Sequence, residues 1–123
     1  AIGVPVAVIV NENSASASEI LAAAIQENEI GVVVGTNTYG KGVVQTTSYI
    51  ESTGGWLKIT TDAYHTPNGN NINGVGISPD ILMELPEQYR RMALPELVKN
   101  HQKEDTQLWE ALDYVRERAN EVS

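Results

Sequence analysis

The chain has no cysteine and no phenylalanine among its 123 residues, and two methionines and two tryptophans. Cations are scarce over its first two thirds, where residues 1–85 hold only Lys41 and Lys58 against eight acidic side chains. Each absence excludes a class of function. Without cysteine there is no disulfide framework, no thiol nucleophile and no thiolate metal site; with His65 and His101 as the only histidines and no HExxH spacing, nothing pairs to hold a metal. A net charge of −8 with no basic stripe argues against nucleic acid as partner. No apolar run approaches the roughly 20 residues that span a bilayer, and no basic-then-apolar leader opens the chain. What remains, at 41% hydrophobic, is enough for one core and too little for two full domains.

Valine-rich segments alternating with an alanine-rich one predict an α/β layer: a strand over 4–10, a helix over about 16–28, a short strand over 31–35 and a loop carrying Tyr39 to Lys41. Strands over 43–50 and 56–65 flank the glycine-bearing connection Glu51–Gly55, which reads as a hairpin. The turn-rich stretch from Pro67 to Asp80 holds no nucleophile or base and is expected to be structural. After Leu85, Pro86 and Pro95 interrupt the segment, and a helix is expected from near Asp105-Thr106. There Leu108, Leu112, Val115 and Ala119 recur at helical spacing with Trp109 beside them, an apolar stripe that reads as a docking face. The division expected is a core over 1–85 and a helical tail over 86–123.

The chemistry concentrates at two points. Ser16 lies where the first strand turns into the first helix, and Lys41 follows 25 positions later between Gly40 and Gly42. A serine hydroxyl needs a neighbouring base to become a nucleophile, and a lysine is such a base only when desolvation favours its neutral amine. The glycines and Val43-Val44 are expected to provide that close, apolar approach. Plainer readings compete. Ser16-Ala17-Ser18-Glu19 is also an S-x-x-E capping box, and Lys41 also suits an exposed turn. Gly35 to Lys41 matches the first seven positions of a phosphate-binding loop, but Gly42 stands where a Ser or Thr should hold Mg²⁺, and a β-branched run replaces the required helix. A triad of Ser16, His65 and Asp62 or Asp80 stays open by spacing, since triads form in space.

Four ordered segments, NENSASASEI, GTNTYGKGVVQ, LKITTDAYHTPNG and GVGISPDI, closely resemble the carboxyl-terminal processing (tail-specific) proteases from about Val4 to Leu85. The resemblance implies a crotonase-like, Clp-protease-like β/α core with a C-terminal helical tail. It implies Ser16 as nucleophile, Lys41 as general base and Gln45 as the residue that holds the lysine, with the Ala17 amide in the oxyanion hole. Protein or peptide substrates gripped by their C-termini and an extracytoplasmic bacterial location follow from the same resemblance; no cofactor is expected. At the position of His65 the family usually has an aromatic residue, which counts against the histidine triad.

The chain opens Ala1-Ile2-Gly3 without an initiator methionine, so a piece of a longer protein is expected, lacking the upstream Gly-Gly turn that gives the second oxyanion donor and lacking the PDZ domain. Such a piece is expected to be inactive alone and to self-associate as a homo-oligomer, through the tail helix near Trp109. Membrane association is left open. The alternative function is a non-catalytic protein-interaction module on the same fold.

Overall fold

The computed structural model describes residues 3–121; the ends of the two expected segments, residues 1–2 and 122–123, lie outside the described residues. Strand β1 (Ala7–Val10) leads through helix α1 (Ala17–Glu27) into β2 (Val32–Gly35), and the two strands pair in parallel with Ala7 opposite Val32 and Val10 opposite Gly35. The first strand is shorter than its apolar run because Pro5 has no N–H for a ladder, although the Val6 carbonyl still accepts the Val32 amide at 3.0 Å. A two-residue strand, β5 (Ile81–Leu82), adds to the other edge of β2, giving the parallel order β1-β2-β5. The sequence pattern did not reveal β5, since two residues carry no period. It is placed by Asp80, whose carboxylate accepts the Val33 amide at 2.8 Å and the Gln26 side-chain amide at 2.8 Å.

Alternation along the central strand divides the core. Val10 and Val33 face α1, packing with Ala22, Ala23, Ile72 and Ile77. Val32 and Val34 face the opposite layer with Ala111 and Tyr114 of helix α3 (Thr106–Glu121). Burial on both faces is why β2 reads as an uninterrupted valine run, and each enclosed valine contributes about 1.5–3 kcal/mol. Small residues on the facing helices allow the close approach.

The tail departs from its sequence reading in two ways. Pro95 opens helix α2 (Leu94–Asn100) near its first position, where no intrahelical N–H is needed, so it starts an element where an interruption was expected. Helix α3 begins as expected, with the Asp105 carboxylate accepting the Leu108 amide at 2.9 Å, but it docks through Gln107, Ala111 and Tyr114. Leu108, Leu112 and Val115 are only half-buried on its flank. Two tethers rotate the helix to this face: the Gln107 side chain donates to the Met83 carbonyl at 2.8 Å and the Thr106 hydroxyl to the Glu84 carbonyl at 2.7 Å.

Strands β3 (Val43–Ile50) and β4 (Gly55–Ala63) form a separate antiparallel hairpin. Its register slips between Val44 and Gln45, leaving an extra residue on β4. The Tyr49 and Trp56 rings meet across it in a tilted pair, with centroids 5.1 Å apart, while staying exposed. The stretch from residue 64 to 80 packs Ile72 and Ile77 into the core and braces the loop before β3, through Gly74 N–H to the Gly40 carbonyl at 2.8 Å and Gly42 N–H to Asn73 Oδ1 at 3.3 Å.

Gly35, at φ 131, leaves β2 against the carbonyl of Val10, into which any Cβ would run directly. Gly35→Ala should therefore lower stability by about 3 kcal/mol or more, from overpacking and backbone strain together. Urea denaturation of the variant beside the parent checks this; equal midpoints would contradict the packing described.

Candidate active site

The turn that leaves β1 is assembled by its own short polar side chains. Asn13 N–H donates to Asn11 Oδ1 at 2.9 Å, and the Asn11 amide donates to Ser14 Oγ at 3.1 Å. The turn delivers Ser16 to the head of α1 with φ 58 and ψ −116, a left-handed conformation that a non-glycine residue occupies at a cost of about 1–3 kcal/mol. Such strain persists only when surrounding bonds enforce it. The enforcing bond here comes from Glu19, whose Oε2 accepts the Ser16 N–H at 2.8 Å. Both halves of the capping box are in place: Glu19 takes the Ser16 N–H, and Ser16 Oγ lies near the Glu19 amide, which itself donates to the Ser16 carbonyl at 2.9 Å. With that amide given to the carbonyl, the Ser16 hydroxyl makes no side-chain cap hydrogen bond.

Glu19 is completely enclosed, and its two oxygens accept four hydrogen bonds. Oε1 takes the Thr38 hydroxyl at 2.6 Å and the Gly40 N–H at 2.6 Å; Oε2 takes the Ser16 N–H and the Lys41 N–H, each at 2.8 Å. The amides of Ser16 and Lys41 therefore meet on one oxygen atom and lie no further apart than twice that bond length. Thr38 extends the network, since its hydroxyl accepts the Ile77 amide at 2.7 Å. The Tyr39 amide closes the loop onto the serine turn by donating to the Ser14 carbonyl at 3.0 Å. Gly40, at φ 86, is needed for this path, and a Cβ there would also press on the amides of Val75 and Gly76 at 3.0 Å.

Burial is the largest influence on the Glu19 carboxyl and by itself would raise its pKa. The hydrogen bonds from Thr38, Gly40, Lys41 and Ser16 together outweigh it, so the group lies below its ordinary value of 4.5 and stays ionised.

The expected site residues fall as follows. Ser16 is half-buried at the strand-to-helix turn, and Ala17 opens α1, where its N–H is one of the amides without an intrahelical acceptor. Lys41 is exposed, not enclosed by the glycines and valines around it, because Gly42 turns the chain straight into the projecting hairpin. Gln45, four residues on, sits exposed beside the slip in register. The structure thus joins Ser16 and Lys41 through their backbones and leaves the lysine and glutamine side chains facing outward. Beside the serine turn lies an open cleft of about 660 Å³, lined by Asn13, Ser14, Ser18, Ile9, Met92 and Leu97 among others.

The rival readings lose their geometry. After Lys41 comes strand β3 where a phosphate-binding loop needs a helix, and the inward amides of Gly40 and Lys41 are already occupied by an internal carboxylate. Asp80 is committed to Val33 and Gln26, while His65 is exposed in an isolated pairing with Asn71. The residue that sequence reading undervalued is Glu19. Its signal, S-x-x-E, was visible as a helix cap, but its bonds to Thr38, Gly40 and Lys41 span 19 to 22 positions and leave no local trace.

The depressed Glu19 pKa has a definite pH consequence. A carboxyl with a lowered folded pKa adds stability that is fully present above its unfolded value and disappears as pH falls through its folded value. Unfolding free energy followed by denaturant titration should accordingly decline as pH is lowered from about 5, and this contribution should be missing from Glu19→Gln. A parent chain that grows more stable over the same acid range would contradict it.

Comparison with known proteins agrees with this architecture. A sequence profile of Peptidase family S41 matches residues 1–83. The carboxy-terminal-processing protease of Bartonella bacilliformis is 47% identical over 88 residues, which are 70% of this chain and 20% of that protein. The chloroplastic C-terminal processing peptidase of Tetradesmus obliquus is 41% identical over 80 residues, 65% of this chain and 17% of that one. Among solved structures, the photosystem II D1 C-terminal processing protease superposes with a TM-score of 0.62 at 41% identity, covering 67% of this chain and 22% of its own. Tricorn protease shares the fold alone, at 22% identity and a TM-score of 0.64 over 92% of this chain and 10% of that one. The chain spans about a fifth of the length of the curated relatives it matches. With the serine turn, the glycine-flanked lysine and the β/α core all within the matched span, the chain belongs to Peptidase family S41.

Proposed function

We infer that this chain carries the Ser/Lys dyad of a serine endopeptidase that cleaves proteins near their C-termini. The observation that carries the reading is the shared carboxylate oxygen, which fixes the backbones of a strained Ser16 and of Lys41 to one point, with the lysine side chain left exposed. In this reading Ser16 Oγ attacks the scissile carbonyl carbon as Lys41 Nζ takes its proton. The oxyanion is held by the Ala17 N–H, with a second donor from elsewhere in the full-length protein. Collapse expels the amine, which leaves with the proton from Lys41. Water then attacks the acyl-enzyme with Lys41 again as base, and Ser16 is regenerated. Gln45 orients the lysine, and the cleft beside Ser14 and Ser18 supplies space for substrate side chains.

Lys41 lies exposed in this chain, and in this reading it is covered by further segments of a longer protein, as the length of the relatives allows. The chain alone is then an inactive peptidase. Its self-association belongs to the same reading: α3 spends one face on its own sheet, but Trp109 at 40% exposure and the Tyr49–Trp56 pair remain as apolar contact surface. The C-termini of extracytoplasmic proteins are the substrates this reading implies. The exposed lysine is the observation that favours the alternative, a non-catalytic interaction module that keeps the fold.

In the full-length protein, Ser16→Ala and Lys41→Ala should each reduce peptide hydrolysis to background while far-ultraviolet dichroism is retained. The double variant should be no worse than either, because nucleophile and base act as a unit. Gln45→Ala should be milder. Turnover retained in Ser16→Ala would remove the dyad, and a wild-type protein that hydrolyses nothing and leaves Ser16 unacylated would establish the interaction module instead.

A further inference from the structure

The four-donor arrangement around Glu19 has more chemistry in it than a helix cap needs. A cap satisfies amides within its own first turn. Only one of the four donors here, Ser16 N–H, belongs to α1 or its cap; the other three, from Thr38, Gly40 and Lys41, arrive on the loop after β2. All three are fixed by a group that lies on the other reactive segment. We propose that Glu19 is a positioning residue for the dyad: its side chain holds the Ser16 turn and the Lys41 loop at fixed separation and direction, so that the hydroxyl and the amine meet. This rests on the dyad reading above.

The constraint on this position is stereochemical. An ionised carboxylate is acceptor-only and offers lone pairs on both oxygens, which matches four converging donors with none left over. A glutamine has the same shape but turns one end into a donor. Whichever way its amide is placed, its NH₂ group faces two other donors, either Thr38 and Gly40 or Ser16 and Lys41. Placed on the Oε2 side, it breaks the joint between Ser16 and Lys41. Placed on the Oε1 side, it frees Thr38 and Gly40, and with them the direction in which the chain enters Lys41. An aspartate is too short by one methylene to span both segments. Since Glu19 is entirely enclosed, it touches neither substrate nor reacting atoms and acts only through the two residues it holds. The φ of 58 at Ser16 is part of the same device, because the bond from its N–H is what keeps the strained turn from relaxing.

The test is the rate at which a fluorophosphonate labels Ser16 in the full-length protein, normalised to folded protein and followed across pH. In that reaction Ser16 Oγ bonds to phosphorus, fluoride leaves and Lys41 accepts the proton. Glu19→Gln should lower the plateau rate about 100-fold, the loss expected when reacting groups are misplaced by about 1 Å, while the pH midpoint stays within about half a unit of the parent. Glu19→Asp should not restore the rate. Thr38→Val removes one donor and keeps the volume, and should give an intermediate loss, which decides the matter if Glu19→Gln does not fold. A folded Glu19→Gln that labels at the parental rate overturns the proposal, as does a Thr38→Val that is unchanged when Glu19→Gln cannot be obtained. A plateau left intact with the midpoint displaced assigns Glu19 an electrostatic effect and equally overturns positioning. If wild-type Ser16 does not label at all, the dyad itself is refuted and the proposal falls with it, an outcome seen in the parent and not in the variants.

Discussion

One buried carboxylate organises this structure. An ion such as Glu19 enclosed without compensation would cost several kcal/mol, so its presence in the core obliges the chain to bring donors to it. The donors come from two segments that are remote in sequence. The head of α1 and the loop after β2 are thereby forced together, and Thr38 passes the constraint on to Ile77 through its hydroxyl. Removing the carboxylate would leave buried donors facing one another, and removing a donor would leave a buried charge short of a partner, so the strained Ser16, the left-handed Gly40 and the inward Lys41 amide are consequences of one requirement.

The position of this knot follows from the parallel sheet. In an open α/β layer, the loops at the carboxyl ends of neighbouring strands converge, which is where such folds place their sites. Here β1 ends at Val10 and β2 at Gly35, and the two exits are the serine turn and the glycine-lysine loop. The second loop has the glycine spacing that elsewhere wraps a phosphate. It wraps an internal anion instead, and the strand that follows carries the chain away from the core into a hairpin. The backbone amides of that loop are spent on the buried carboxylate, which ties them to the serine turn.

Much of this was determined by the sequence alone. Local chemistry is short-ranged and leaves marks in neighbouring residues: the valine run of β2, the alanine-rich α1, the β-branched strands of the hairpin, the S-x-x-E at Ser16 and the Gly-Lys-Gly at 40–42 were each legible, and their order gave the family. What only the tertiary structure decided depends on pairs far apart in the chain. Strand β5 exists because Asp80 reaches Val33, not because Ile81-Leu82 has a pattern. The docking face of α3 is set by the tethers of Gln107 and Thr106, which overrode the more apolar stripe through Leu108 and Leu112. Pro95 looked like a break and became a helix start because its missing N–H costs nothing in a first turn. Glu19 read as a cap for the same reason that its larger role was hidden: one of its four bonds is local and three are not, and hydrogen bonds across the core have no sequence period to announce them.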